Sequence, residues 1–321
     1  MPKCRRSAAL ALLATVAHAG AASPVDTPPT PDSSPVVDIS GVRFSIFGAT
    51  EWFSAADFSD VAGDLSVARL GAGLNVEFGL TDRLDASVSV THEISFYDIR
   101  DNPTLSPLLD ESTGSDADLS TSETAFTARL TWKLDDRWSI FLGGGGRFAL
   151  EPGASWGKSF APIGLAGATY VFNDRLVLGG GLAIADQLED SVLVLPLIIV
   201  NWRITDRLTL SNGAGGLRRA TWLQLSYAID DNWVVYCEGG YAFRDFRLDS
   251  DGPTPDGVFR ERRLPVGVGV LFNAGPNIKL GLRGGFAFGG NIEVTDSSGS
   301  RLFDQDLDGS AYLGFDVNLR F

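Results

Sequence analysis

The closing residues of the chain alternate without a break. Ala311, Leu313, Phe315, Val317, Leu319 and Phe321 are apolar, and Ser310, Tyr312, Gly314, Asp316, Asn318 and Arg320 between them are polar or small. A β-strand sends successive side chains to opposite faces, so this segment has one apolar and one polar face. The division recurs upstream. Leu70, Ala72, Leu74, Val76, Phe78 and Leu80 oppose Arg69, Gly71, Gly73, Asn75, Glu77 and Gly79; Phe126, Ala128, Leu130, Trp132 and Leu134 oppose Ala125, Thr127, Arg129, Thr131 and Lys133. Tight turns separate such segments. Thr81-Asp82-Arg83-Leu84, Asp135-Asp136-Arg137-Trp138, Asn173-Asp174-Arg175-Leu176 and Thr205-Asp206-Arg207-Leu208 share an Asp-Arg pair; Asp230-Asp231-Asn232-Trp233 and Ala274-Gly275-Pro276-Asn277 hold equivalent places. Their residues favour turns because the side chains bond nearby backbone or tolerate left-handed dihedrals. The pattern predicts fourteen strands, starting near Val42, Val67, Leu84, Ser122, Trp138, Phe160, Leu176, Ser191, Leu208, Ala220, Trp233, Arg262, Asn277 and Gly309. The short span at 208–212 is the weakest, and its loss with a partner leaves twelve.

A soluble sandwich and a membrane barrel both produce such alternation, one hiding its apolar face and the other turning it to lipid. Segments of ten residues or more, longer than a usual soluble strand, favour the barrel. So do alternating short and long connections. Trp52, Trp132, Trp138, Trp202, Trp233, Tyr227 and Tyr241 lie near segment ends, where an interfacial girdle would place them. The expected fold is therefore all-β, an antiparallel up-and-down transmembrane barrel with both termini on the periplasmic side.

The terminal strand, from Tyr312 to Phe321, resembles the C-terminal strand of bacterial outer-membrane β-barrels. That resemblance implies a terminal aromatic read by the barrel assembly machinery, with Tyr312 and Phe321 as the insertion signal. Leu195-Pro196-Leu197 through Trp202-Arg203-Ile204, and Tyr241 to Leu248 followed by Val258 to Arg263, look like a barrel family known only as a domain of unknown function. It implies an architecture and an outer-membrane location shared with lipid and lipopolysaccharide, and no mechanism.

The N-terminal residues fit a secretory signal over 1–19. Lys3, Arg5 and Arg6 precede an apolar run, and Ala17-His18-Ala19 forms a small-x-small site. A Pro-rich leader over 20–40 is expected to be disordered, and the barrel to occupy 41–321. Of 26 Lys and Arg residues, three leave with the signal, so 23 face 40 acids in the mature chain, a net charge of −17. Such acidity argues against nucleic acid as a partner. Cys237 would be the only mature cysteine.

Charge geography sharpens the picture. Arg69, Arg129, Lys133, Arg147, Arg203 and Arg283 fall on the polar strand faces, where acids such as Glu51, Glu77, Asp85, Glu93, Glu238 and Asp316 are fewer. The remaining acids crowd the long connections. The expectation is an acidic rim above a lumen that leans basic, lined by those six cations, although facing Arg and Glu residues could instead pair and fill it. Asp304, Asp306 and Asp308, read as one loop before Gly309, have a calcium-like spacing, but Phe315 stands where an EF-hand needs its bidentate Glu. No other cofactor is implied.

Catalysis has little support. His92 is the one mature histidine, placed by alternation on the lipid face, and Ser89 and Ser95 fall on the opposite face. Leu193, Leu195, Leu197 and Ile199 would face inward, as an apolar wall against a folded-in loop, the leader or a greasy solute. The expected role is a passive diffusion pore for small hydrophilic, anionic-leaning solutes. A non-conducting structural or adhesion barrel is the alternative, ahead of a hydrophobic-solute transporter or a lipid-modifying enzyme.

Overall fold

The structure, a computed structural model, describes residues 42–110, 114–189, 192–212 and 222–321. The predicted signal and leader lie outside these residues, as do the predicted strand starts at Ser191 and Ala220. One sheet contains β1 (Val42–Asp57), β2 (Asp64–Thr81), β3 (Leu84–Arg100), β4 (Ala117–Lys133), β5 (Trp138–Leu150), β6 (Phe160–Asn173), β7 (Leu176–Ala185) and β8 (Leu193–Arg203). It continues through β9 (Leu208–Ser211), β10 (Trp222–Ala228), β11 (Trp233–Gly240), β12 (Ala242–Arg247), β13 (Val258–Asn273), β14 (Ile278–Thr295), β15 (Arg301–Leu307) and β16 (Ser310–Arg320). Two pairs are single strands with a break. Gly239 pairs with Val266 and Ala242 with Arg263, so β11 runs into β12 in one register. Likewise Gly290 pairs with Leu307 and Ala287 with Ser310. The wall is thus a closed antiparallel barrel of 14 strands, sealed where β16 pairs with β1.

The Asp-Arg repeat has a local cause. The first residue of each turn folds its side chain back onto the backbone two and three positions later. Asp135 Oδ1 accepts from the N–H groups of Arg137 and Trp138 at 2.8 and 2.7 Å, and Asp230 Oδ1 from those of Asn232 and Trp233 at 2.8 Å. Thr205 caps its turn the same way, and Asn173 accepts from the N–H two positions on. The carbonyl of the third residue then accepts from the end of the next hairpin: Lys133 N–H bonds Arg83, Val171 N–H bonds Arg137, and Ala228 N–H bonds Arg207. The repeat is a device for stacking hairpins.

Outward positions form an apolar belt that includes Leu70, Leu74, Leu130, Leu142, Leu182, Val268, Leu282 and Leu313. Trp132, Trp138, Phe172, Trp202, Tyr227 and Trp233 border it near the tight turns, and Trp52, Phe96, Phe160 and Phe288 toward the long connections. Several strands outrun this belt. β1 to β4 have 16, 18, 17 and 17 residues, against about 9–11 for a membrane crossing. Beyond the belt the alternation changes phase: Leu65 and Val67, Tyr97 and Ile99, and Ala117 and Leu119 point inward and are buried. Outside the bilayer the outer face meets water, so apolar side chains gain by closing on one another within.

That closure is made by a flap. Beyond Gly240, β12 leaves β10 and crosses the mouth until Arg247 pairs with Leu150 of β5. The far halves of β13 and β14 and all of β15 go with it, and β15 rejoins the wall through Phe58, Ser59 and Asp57 of the β1 end. The bend falls at a bulge, since Arg262 pairs with Asn291 but Leu264 with Phe288. Gly289 there has φ +53°, a left-handed conformation that suits glycine. Phe246, Phe259, Ile292 and Phe303 of the flap pack on Phe53, Leu65, Tyr97, Ile99 and Leu119 of the wall in a single apolar core.

Candidate functional site

The lumen has three parts, and the uppermost is filled. Beneath the apolar core, arginines and carboxylates from the flap, from neighbouring strands and from across the lumen meet in pairs. Arg69 on β2 bonds Glu261 on β13 and lies 3.5 Å from Glu51. Glu261 also accepts the Tyr97 hydroxyl at 2.9 Å and Arg263 Nε at 2.5 Å. Arg244 on β12 reaches Glu93 on β3 at 2.9 Å, while Arg147 on β5 joins Asp245 on β12 to Glu123 on β4. Arg283 lies between Asp316 and Glu51, the latter at 3.2 Å. Deeper in the flap, Arg247 donates to the carbonyls of Lys158 and Asp256. Charges this buried persist only where partners and hydrogen bonds replace water. The flap is therefore held in one position by interactions that have no looser substitute inside.

Of the six cations expected to line the lumen, Arg69, Arg147 and Arg283 belong to this paired layer. The expected basic lean is cancelled at that level. The carboxylates responsible are Glu51, Glu93 and Asp316, expected on the polar faces, joined by Glu123, Asp245 and Glu261. Arg129, Lys133 and Arg203 lie toward the tight turns, in the second part.

There the inward residues become partly exposed: Asn75 and Glu77 on β2, Ser87 and Ser89 on β3, and Thr127, Arg129 and Thr131 on β4. This is a water-accessible vestibule below the level of Arg283. Its inward charges are Arg43, Arg129, Lys133, Arg203, Lys279 and Arg320 against Glu77 and Asp85, the last paired with Lys133 at 3.0 Å. The basic lean survives in this half.

The third part is the inner face of β5 to β8. Phe141, Leu165, Ala183 and Leu195 are buried together, with Ile163, Leu193, Leu197, Ile199 and Tyr241 packed around them. The apolar wall expected at Leu193, Leu195, Leu197 and Ile199 is present, and Tyr241, at the β11–β12 break, is the flap residue that rests on it.

Other sequence candidates fall elsewhere. Asp304 and Asp306 stand on strand β15 and not in a loop; Asn291 donates to both, at 2.9 and 3.2 Å, Arg301 pairs with Asp304, and Asp308 accepts from the Ser59 hydroxyl. Among the described residues no group of three or more His, Cys, Asp or Glu side chains is arranged to hold a metal. His92 is exposed on the outward face with Thr124 Oγ1 at 2.9 Å from Nδ1. Tyr312 points inward, stacked on Phe53 with centroids 5.5 Å apart. Phe321 is outward at the rim, its backbone bonded to Phe44 in both directions.

A family described as "Domain of unknown function (DUF6268)" matches residues 123–321, more than half of the chain. The chain belongs to this family. The matched region holds the apolar wall, the flap and the carboxylates Glu123, Asp245 and Glu261. No curated protein matches the sequence. Among solved structures, an outer membrane channel from Pseudomonas putida F1 is similar at 10% identity and TM-score 0.45, over 92% of this chain and 100% of that one. The P. putida toluene transporter TodX is similar at 11% identity and TM-score 0.40, over 88% and 90%. The translocator domain of the autotransporter NalP from Neisseria meningitidis is similar at 12% identity and TM-score 0.35, over 88% and 89%.

Proposed function

We propose that this barrel is an outer-membrane diffusion channel, closed in the state described, whose flap must move for solute to pass. The observation that carries the reading is the division of the lumen: a basic, water-accessible vestibule on one side and an ion-paired flap across the other. A barrel needed only as a wall has no use for a vestibule with six inward cations. Rings of Arg and Lys favour anions, so the solutes are small, hydrophilic and anionic-leaning. Tyr312 and Phe321 are the signal presented to the assembly machinery, and the apolar belt faces outer-membrane lipid and lipopolysaccharide. His92 carries no catalytic role in this reading.

The paired layer favours one rival, a closed structural barrel whose flap never opens. Planar-bilayer recording separates the two. The chain from Gly20 onward is compared with a version in which Asp245 through Arg260 are replaced by Asn-Gly, which joins Arg244 to Glu261 in register. Rare or absent openings in the full chain and stable, anion-selective steps in the shortened one support the channel. A folded, heat-modifiable shortened barrel that never conducts would establish the structural barrel instead.

A further inference from the structure

The apolar wall and the vestibule meet on one strand. The inward column of β8 reads Leu193, Leu195, Leu197, Ile199, Asn201, Arg203 from the flap toward the tight turns. Four hydrocarbon side chains are followed by an amide and a guanidinium. At about 3.3 Å per residue, Leu195 to Ile199 presents roughly 13 Å of apolar surface, and Arg203 follows about 13 Å further along the same wall. Across the β8–β9 ladder, Asn201 pairs with Ser211 and Arg203 with Thr209, so the foot of the column is polar on both strands.

The column borders a trough. Leu197 and Ile199 pair across β7 with Gly181 and Gly179, which add no side chain of their own to the floor, where the Thr169 methyl lies beside Gly179. Any side chain at those glycines would run into the carbonyls of Ala166 and Ala168. Leu197 and Ile199 are only part-buried and keep a face toward the lumen. Arg203 is also part-exposed and forms no ion pair among the described residues, unlike Arg69, Arg147 and Arg283.

We infer that this trough is a binding site for small organic monoanions, a carboxylate on a short alkyl or aryl body. The body lies over Gly179 and Gly181 against Leu197 and Ile199, and the carboxylate meets Arg203 with Asn201 and Thr209 beside it. A purely hydrophilic anion gains nothing from the wall, and a hydrocarbon without a charge leaves Arg203 unused. Together the two surfaces select a molecule with both parts, because a guanidinium binds carboxylate through paired, charge-assisted hydrogen bonds. The inference refines the solute class of the proposed channel and rests on that reading for its physiological sense. The binding itself does not require conduction.

The test uses the mature barrel in lipid nanodiscs, titrated calorimetrically with phenylbutyrate, its neutral amide phenylbutyramide, and butyrate, with empty discs as the blank. Phenylbutyrate should bind about tenfold more tightly than the amide, the loss expected for one charge-assisted interaction. Butyrate, which lacks the aryl body, should bind more weakly than phenylbutyrate. Arg203→Gln should abolish the preference for acid over amide, and Leu197→Asn should weaken both aryl ligands while leaving that preference. Equal affinity of wild type for acid and amide, heats no larger than those of empty discs, or Arg203→Gln and Leu197→Asn barrels that bind like wild type would overturn the site. Because the acid and amide are compared on the wild-type barrel, a variant that fails to fold leaves the test intact. A shortened barrel that conducts while the full chain shows no such binding refutes the inference alone, and a full chain that binds while the shortened barrel never conducts refutes the channel alone.

Discussion

Glu93→Ala should loosen the flap without unfolding the wall. Glu93 and Arg244 are almost fully buried and meet at two points, with Oε1 2.9 Å from Nε and Oε2 3.4 Å from Nη2. Ser95 Oγ also donates to Glu93, at 3.3 Å. Removing one member of such a pair leaves a buried charge under-compensated and costs about 3–5 kcal/mol. The β3 ladder to β2 and β4 is a backbone matter and stays intact. The cost therefore falls on docking of β12, and the docked-to-undocked ratio should drop by roughly two to four powers of ten. The flap keeps its other tethers at Glu261, Asp245 and Arg247, so the expected result is more frequent opening and not a permanently open pore. Replacing both partners, Glu93→Leu with Arg244→Met, removes the desolvated charges together and should restore closure to near wild type, since such swaps are often neutral or better. The assay is open probability in planar bilayers, paralleled by protease cleavage within residues 249–257. The reasoning is refuted if Glu93→Ala is as closed and protease-resistant as wild type, or if the double variant opens as readily as the single.

Further outcomes follow from the same geometry. Burial pushes the Glu151 carboxyl, at the long-connection end, from its ordinary 4.5 up to about 7; the neighbouring Asp249 and Asp110 add to this, while the Asp249 N–H donated to it opposes. A carboxyl raised in the docked state stabilises docking at low pH and loses that contribution as pH rises through about 7. Cleavage within 249–257 should therefore increase from pH 6 to pH 8, and Glu151→Gln should flatten that dependence, which paired digests would show. Gly267 lies beneath the Tyr312 hydroxyl and beside the Gly284 carbonyl. Gly267→Val should destabilise the barrel by about 1–3 kcal/mol through overpacking, read from the urea midpoint of its folded, heat-modifiable form. Asp230→Ala deletes both side-chain bonds of the β10–β11 turn. It should cost about 1 kcal/mol and slow refolding without altering conductance, as stopped-flow and bilayer recordings would report. Phe321→Ser should reduce outer-membrane assembly in cells while leaving refolding in detergent unchanged, measured by the heat-modifiable fraction in each setting.

Alternation and turn chemistry are local, and at that level the chain was legible. The β-strand period assigns Leu70 outward and Arg69 inward whatever lies across the lumen, and Asp135 or Thr205 caps its turn using backbone only two and three residues away. Fourteen strands and the closure of β16 on β1 follow from repeating that short-range logic. The short β9, the doubtful member, holds its place through pairs with β8 and β10. A change of phase was also present in the sequence, in the inward apolar run Leu65, Val67, Tyr97, Ile99 and Leu119, and it marked where strands leave the bilayer. What fills that space was not local. Arg69 and Glu261 are 192 residues apart and Arg244 and Glu93 are 151 apart. No spacing rule connects them until the sheet bends at Gly289 and carries β12 across the mouth. An inward arginine on an isolated strand is a cation facing water. Only the closed barrel decides that Arg69 is neutralised and buried while Arg203 remains partly exposed, because charge pairing depends on distances across a lumen that a one-dimensional pattern does not contain.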